Sequence, residues 1–146
     1  MKLNIINLQK LHFIDKNRVK KLISSILKVE KKNAELNLVF TDNKKIKKIN
    51  KTFLGHNFVT DVISFGYNDA SLENNISGEI IISVEMAVKL AQKLKCTIEG
   101  EIALYLVHGL LHLLGYNDKV KKDARKMHQR EKELLSMYGY DVSIPY

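Results

Sequence analysis

Apolar positions recur along the chain at two spacings, and together they predict about four strands and about five helices. Short runs that are apolar, or that alternate with polar residues, are typical of strands. They cover residues 3–8, 35–41, 60–66 and 78–83. Longer runs with apolar residues every three or four positions are typical of amphipathic helices. They cover residues 16–29, 43–53, 84–94, 98–114 and 121–138.

Several helix ends are marked by residues that suit them chemically. Asp42, Ser83 and Thr97 each precede a helical run, where a side-chain oxygen can accept from the first backbone amides of the helix. Gly115 and Gly139 follow the last two runs, and glycine readily adopts the left-handed conformation that ends a helix. These residues therefore predict where five of the helix ends lie.

The order of the elements predicts an α+β (α/β) fold. Strands and helices partly alternate and partly group, which favours one mixed sheet of about four strands with about five helices packed over it. The chain contains no linker-like segment, which indicates a single domain over residues 1–146. The residues expected to point inward are Ile46, Ile49 and Phe53 in one helix and Met127, Leu134, Leu135 and Met137 in the last.

The composition is that of an ordinary globular protein. Hydrophobic residues make up 45% and charged residues 27%, which argues against a disordered, collagen-like or low-complexity chain. The single cysteine, Cys96, cannot close a disulfide within the chain or build a cysteine-based zinc cluster, so we expect a reducing, cytoplasmic setting. Residues 1–16 lack the unbroken apolar block and the small-residue cleavage site of a signal peptide.

The charge balance favours a polyanionic partner. Lys and Arg together number 24, against 16 Asp and Glu, which gives a net charge of +8. Such a protein attracts RNA, DNA or an anionic membrane surface, although plain solubility explains the same charge. Few aromatic residues are interleaved with the lysines, so the sequence does not indicate a platform for base stacking.

The most informative segment is EIALYLVHGLLHLLGYND, residues 101–118. Its central part, 102–115, has no Asp, Glu, Lys or Arg but is too short for a membrane span, so we interpret it as a buried core helix. His108 and His112 are four positions apart and therefore lie on one face of that helix. Either each is a neutral core histidine with its own hydrogen-bond partner, or the two bind a metal ion together.

The residues after the histidines favour the metal. Gly115 ends the helix and lets the chain fold back, which brings Asp118 towards both rings. Two nitrogens and one oxygen leave a fourth position open, as in a catalytic zinc site with its metal-bound water. The spacing is similar to that of the metzincin proteases, which need a glutamate directly after the first histidine as general base. Gly109 takes that place here, so peptide hydrolysis by that route is disfavoured.

The same segment resembles a family signature. HGLLHLLGYND is similar to the HGxLHLxGYDH motif of the YbeY family of bacterial endoribonucleases, which are metal-dependent rRNA maturation factors. The resemblance continues through LNLVFTDNKKIKKINKTF, TDVISF, SGEIIIS and MHQREKELL, and it spans about residue 36 to residue 135. It implies a small α/β domain with about four strands, and a metal-bearing helix related to that of the zincins.

The resemblance also implies a set of metal ligands. His108 and His112 match the first two zinc-binding histidines of the family. The third family ligand is a histidine, and Asp118 stands at that position here. One zinc ion is therefore the implied cofactor. Other divalent ions stay open because a carboxylate shifts the preference towards harder cations.

The loop ahead of TDVISF departs from the family pattern. The family has a Tyr-Arg-x-Lys-Asp-x-Pro run whose arginine helps to hold the RNA phosphate, whereas this chain has FLGHNFV. Leu54 replaces the arginine and cannot offer a guanidinium to a phosphate. His56 replaces the lysine and is either a partial substitute in RNA binding or a solvated loop histidine.

Further candidates come from the matched segments. Asp61 either orients a ligand or relays a proton in catalysis, or it caps the start of its strand, and the structural role is favoured. The basic residues directly after the metal motif are candidate RNA contacts or a solvated helix face. They are Lys119, Lys121, Lys122, Arg125 and Lys126. The lysines of 44–51 have the same two interpretations.

The resemblance implies a cytoplasmic, zinc-dependent endoribonuclease specific for single strands. It would act in rRNA maturation, at the 3′ end of the small-subunit rRNA, and in ribosome quality control. The implied partners are single-stranded RNA and rRNA, with small-subunit ribosomal proteins as candidates and no membrane. Two rivals stay open. One is an RNA-binding assembly factor without hydrolytic activity, which Leu54 and Asp118 favour, and the other is a metal-dependent hydrolase of a non-RNA substrate.

Overall fold

One mixed sheet of four strands carries the fold in the computed structural model, which describes residues 1–69 and 74–140. The strands are β1 (Lys2–Asn7), β2 (Asn33–Thr41), β3 (Val62–Gly66) and β4 (Asn75–Ser83). Their order in the sheet is β1-β2-β4-β3. β1 and β4 each run parallel to β2, and β3 runs antiparallel to β4 at one edge. The expected four-stranded mixed sheet is confirmed.

Five helices complete the described part of the chain. They are α1 (Lys16–Val29), α2 (Asn43–Leu54), α3 (Val84–Leu94), α4 (Ile98–Leu113) and α5 (Lys121–Met137). Each predicted strand and helix is present, with its ends within three residues of the prediction. Over residues 1–69 and 74–140, no helix combines the length and the apolar character that crossing a membrane requires.

The residues expected to end the helices do so. Asp42, Ser83 and Thr97 are the N-caps of α2, α3 and α4, and their side-chain oxygens accept from backbone amides at 2.9, 3.1 and 3.0 Å. Gly115 and Gly139 follow α4 and α5 with φ of +102° and +76°. A side chain would strain both positions, so glycine fixes where these two helices stop.

The sheet buries apolar side chains on both faces. On the larger side, alternate residues of β2 and β4 such as Leu38 and Ile80 pack into one cluster with α1, α4 and the buried residues of α5. On the other side, a smaller cluster includes Ile46 of α2, and its buried members are Val39, Ile46, Ile63 and Ile81. α4 therefore packs on the larger side of the sheet, in contact with α1, α3 and α5, while α2 covers the opposite face.

Gly109 lets α4 approach the edge of the sheet closely. A Cβ at this position would lie 2.9 Å from Ile80 Cγ2 and 3.0 Å from Ser64 Oγ. The Ser64 hydroxyl donates to the Gly109 carbonyl at 3.0 Å, which ties α4 to β3. This contact brings the histidine face of α4 alongside β3.

Two of the residues predicted to point inward are exposed instead, so these two predictions are wrong. Phe53 is 68% exposed, because the last turn of α2 extends past the small core; its ring meets that of Phe65 edge to face, at 5.9 Å between centroids. Met137 is 57% exposed. It lies about 100° around α5 from the centre of the buried stripe, which includes Met127 and Leu134. That stripe also holds a carboxylate, which belongs to the site described next.

Candidate metal centre

His108 and His112 lie one turn apart on the half-buried face of α4. Their Nε2 atoms are 3.2 Å apart, and the rings meet edge to face with centroids 4.7 Å apart. Both side chains keep a part of their surface exposed, at 24% and 31%. The pair is therefore at the boundary between the core and solvent rather than inside the core.

The turn after α4 brings the third residue back to the pair. Gly115 donates to the carbonyl of His112 at 3.1 Å and Tyr116 donates to that of Leu111 at 3.0 Å, which is the Schellman arrangement. The chain then reverses, and Asp118 Oδ2 lies 3.7 Å from His108 Nε2 and 3.4 Å from His112 Nε2. The structure thus brings together the three residues that the spacing singled out.

The hydrogen-bond partners of the two Nδ1 atoms show which nitrogen of each ring carries the proton. The other nitrogen of each ring then has a free lone pair. His112 Nδ1 lies 3.2 Å from the carbonyl oxygen of Tyr116, which can only accept, so this Nδ1 carries the proton. His108 Nδ1 donates to the carboxylate of Glu131. When the rings are neutral, both Nε2 atoms therefore present lone pairs towards each other and towards Asp118. A cation between the three atoms removes that repulsion.

The three atoms fit a divalent ion. Their separations of 3.2, 3.4 and 3.7 Å form a nearly regular triangle. Ligands at about 2.0–2.2 Å from a tetrahedral zinc are separated by about 3.3–3.6 Å. The donor set, two imidazole nitrogens and one carboxylate oxygen, is also one that zinc accepts. The residues present therefore match the group that the sequence implied.

Glu131 is a functional residue that the sequence reasoning missed. Its side chain is only 1% exposed, and its carboxylate contacts His108 Nδ1 and lies 3.5 Å from His128 Nδ1. Burial lowers the pKa of His108, but the hydrogen bond to Glu131 and its charge raise it, together with the charges of Asp61 and Asp118, to above the ordinary value. Glu131 also fixes the orientation of the His108 ring.

A sequence signal for Glu131 was present. It lies four residues after Met127 and three before Leu134, so it interrupts the apolar stripe of α5. A carboxylate is almost never fully buried unless it has a partner. An acidic residue inside an apolar stripe therefore indicates a buried partner elsewhere in the fold, although the sequence does not identify it.

Asp61 lies in the turn before β3. Its Oδ1 accepts from the Val62 amide at 2.8 Å and from the Thr60 hydroxyl at 3.3 Å. These are the contacts expected of a residue that caps the start of a strand. Asp61 also lines a cleft of about 430 Å³ together with His108 and His112.

That cleft is continuous with a second one along β3. The first is lined near the histidines by Ser64 and further out by Leu54 and His56. The second, of about 510 Å³, shares Ser64 and His112 and extends to Tyr67. Together they form a groove that follows the edge strand and crosses the histidine pair; we call it the β3 groove.

The predicted basic residues are not among the described residues that line this groove. They occupy the segment after Asp118 and the first turns of α5, and all of them are exposed: Lys119, Lys121, Lys122, Arg125 and Lys126. Among the described lining residues of the two clefts, none is a lysine or an arginine. His56 does line the groove, at the end formed by the loop after α2.

Comparisons with known proteins agree with this picture. Residues 4–139 match the family model described as endoribonuclease YbeY. The chain is 38% identical to the endoribonuclease YbeY of Flavobacterium johnsoniae, over 80% of this chain and 82% of the relative. It is 40% identical to that of Petrotoga mobilis, over 87% and 88%. A solution structure of a Thermotoga maritima protein shares the fold, with a TM-score of 0.63 at 23% identity over 98% and 97% of the two chains.

Proposed function

The chain belongs to the YbeY family of endoribonucleases, and from this premise we propose that it is a metal-dependent endoribonuclease that cuts single-stranded RNA during rRNA maturation. The observation that carries the metal dependence is the convergence of His108 Nε2, His112 Nε2 and Asp118 Oδ2 within 3.7 Å of one another. The family match over residues 4–139 supports the reaction class. The net charge of +8 supports a polyanionic substrate.

The finer assignments belong to the same proposal. Zinc is the proposed ion because nitrogen and oxygen donors suit it, and manganese or another hard cation is its competitor at Asp118. The proposed place of action is the cytoplasm, at the 3′ end of the small-subunit rRNA and in ribosome quality control, with small-subunit proteins as partners. The reducing setting expected from the lone Cys96 supports that location.

Each residue of the site has a stated task in this proposal. His108, His112 and Asp118 hold the ion, and Glu131 keeps the Nε2 atom of His108 directed at it. A divalent ion held there supplies a Lewis acid for the phosphodiester or for water. Asp61 orders the turn that forms the adjacent wall of the groove.

The basic residues hold the RNA backbone. The cluster after Asp118, from Lys119 to Arg125, is exposed and directly follows the third metal ligand in the sequence, so it can contact phosphates near the metal centre. His56 adds a further group in the cleft beside the histidines. These contacts are independent of base identity, so they supply affinity rather than sequence preference.

One observation favours a second candidate function. Leu54, where the family has an arginine, lines the cleft beside the histidines, and no lysine or arginine is among the described lining residues. A cleft without a guanidinium gives weaker stabilisation of developing negative charge. This supports an RNA-binding assembly factor that binds pre-rRNA without cutting it.

The test is cleavage of single-stranded RNA by the purified protein, with and without a chelator, and with bound metal quantified. His108→Ala and Asp118→Ala are expected to lose both metal and cleavage. The matched control is His12→Ala, because this histidine contacts Glu99 at 3.1 Å outside the metal centre. RNA cleavage that is equally fast in chelator contradicts the mechanism. RNA binding without cleavage favours the assembly factor, and faster cleavage of small esters favours a non-RNA substrate.

A further inference from the structure

Three side chains form an exposed, mostly apolar wall at one end of the β3 groove. They are Leu54, His56 and Phe58, and we call them the aromatic wall. Phe58 is 54% exposed and Leu54 is 46% exposed, although both are large apolar residues. The rings of His56 and Phe58 lie nearly parallel, with centroids 5.3 Å apart and planes 13° apart. The sequence did not indicate a stacking platform, because these rings lie outside the lysine-rich stretches.

The loop that carries the wall is held in place by α2. Gly55 adopts a φ of +71° and donates to the Lys51 carbonyl at 3.1 Å, which ends the helix. The buried Asn50 then binds the loop twice, because its carbonyl accepts from the His56 amide at 3.3 Å and its Nδ2 donates to the Phe58 carbonyl at 3.1 Å. The rings are therefore positioned before any ligand arrives, which reduces the entropy lost on binding.

The wall is continuous with the metal centre. Leu54 and Phe58 line the same cleft of about 430 Å³ as His108 and His112. A strand whose phosphate reaches the three ligand atoms therefore places a neighbouring nucleotide against the wall. The wall itself has no lysine or arginine, so it suits the base of that nucleotide better than its phosphate.

The surrounding charges suit a nucleic acid strand. Exposed lysines occupy the outer face of α2, whose last turn leads into the wall: Lys44, Lys45, Lys47, Lys48 and Lys51. A second exposed basic cluster directly follows Asp118 of the metal centre in the sequence. Exposed rings accompanied by cationic side chains are the usual composition of single-strand binding sites, in which bases stack and the backbone is neutralised.

We propose that the aromatic wall stacks one unpaired nucleobase next to the metal centre, and that this contact gives the protein its preference for single-stranded RNA. A base inside a duplex is already paired and stacked, so it must first unpair and unstack to reach the wall. The inference rests on the proposed function for its substrate class. It adds the residues that select unpaired RNA and the part of the nucleotide that they bind.

The test uses the zinc-loaded protein and a single-stranded 2′-O-methyl RNA oligonucleotide carrying one fluorescent 2-aminopurine, moved through each position in turn. Intact oligonucleotide is verified after each measurement. Stacking on the wall quenches 2-aminopurine at one or two positions. We expect Phe58→Ala to abolish that quenching and to weaken binding by about 5- to 150-fold, the usual range for losing one stacked base. Phe58→Tyr should retain both.

The matched control is Phe13→Ala, because Phe13 is also an exposed phenylalanine but lines a different cleft, against α1 and the start of α4. The inference is overturned if Phe58→Ala and Phe13→Ala show the same quenching and the same affinity as the unaltered protein, which would leave the wall as a surface for a protein partner. If the unaltered protein still cleaves RNA in a metal-dependent way in that case, the proposed function stands although the stacking proposal fails. If quenching depends on Phe58 but no RNA is cleaved, the stacking proposal stands and the nuclease function is wrong.

Discussion

Glu131 lies 23 residues beyond His108 in the sequence, yet its carboxylate contacts the Nδ1 of that histidine. A ligating imidazole binds best when its second nitrogen donates to an acceptor that fixes both the tautomer and the ring orientation. Because Glu131 is buried, water screens its interaction with His108 only weakly. One side chain outside the ligand set therefore influences how tightly the ion is bound.

Replacing this carboxylate with an amide should weaken the metal site. We expect Glu131→Gln to lower zinc affinity by about 10- to 100-fold, because the amide keeps the shape but removes the charge that His108 contacts. Competition against a chromophoric chelator measures the affinity directly, without an activity assay. Glu133→Gln is the control, since Glu133 lies on the exposed side of α5 and contacts Arg130 at 3.0 Å. Equal zinc affinities of the two variants would show that Glu131 does not contribute to metal binding.

At the scale of an element, the turn after α4 decides where the third ligand lies. Gly115 has a φ of +102° and no atom within 4 Å of an added Cβ, so an alanine there meets only backbone strain. That strain is about 1–2 kcal/mol for a residue with a side chain. The strain can be relieved only by moving the turn, and Asp118 follows that turn by three residues.

A pair of glycine substitutions separates this effect from stability. We expect Gly115→Ala and Gly139→Ala to lower the free energy of unfolding by similar amounts, about 1–2 kcal/mol, because both glycines end a helix with positive φ. Only Gly115→Ala should also weaken zinc binding. Denaturant unfolding measures the first quantity and chelator competition the second. A Gly139→Ala variant that loses as much zinc affinity as Gly115→Ala would contradict the assignment of Asp118.

The elements themselves were predictable, whereas the contacts between them were not. Helical spacing and caps such as Asp42 and Thr97 depend on residues a few positions apart, so they can be identified in the sequence. The turn that returns Asp118 to the histidines is equally local. The contact of Glu131 with His108 and the position of the aromatic wall beside the metal depend on how α5 and the loop after α2 pack. No local pattern encodes that packing.

The two wrong assignments have different causes. Phe53 lies on the same face of α2 as Ile46, but the small core does not extend to the last turn of that helix. Met137 lies to one side of the buried stripe of α5, although Tyr138 and Tyr140 beyond it still pack against the core. Hydrophobic spacing therefore overestimates the length of the core in one helix and the width of the buried stripe in the other.

For the whole molecule, the distribution of charge predicts how RNA binding responds to salt. We expect Lys121→Ala, Lys122→Ala and Arg125→Ala together to weaken binding of all single-stranded RNA sequences equally. The slope of log affinity against log salt should fall by about 2, since each lost phosphate contact on a single strand removes about 0.7. Fluorescence anisotropy over a salt series measures this slope.

The control for this experiment uses the same change on another surface. Lys20→Ala, Lys21→Ala and Lys28→Ala remove three exposed charges from α1, which does not border the β3 groove. These variants should leave the salt slope close to that of the unaltered protein. If both triple variants lower the slope by the same amount, RNA affinity depends on the total charge of the protein. The cluster after Asp118 would then not be the RNA-binding surface.

Asp118 follows the glycine that ends α4, in a segment that belongs to neither helix, and its side chain is partly exposed. A replacement at this position changes a partly exposed side chain, provided that Gly115 keeps the reversal. One base change converts an aspartate codon into a histidine codon, so a single mutational step can exchange the third donor. Such an exchange would alter the metal preference of the site and leave the imidazole pair of α4 in place.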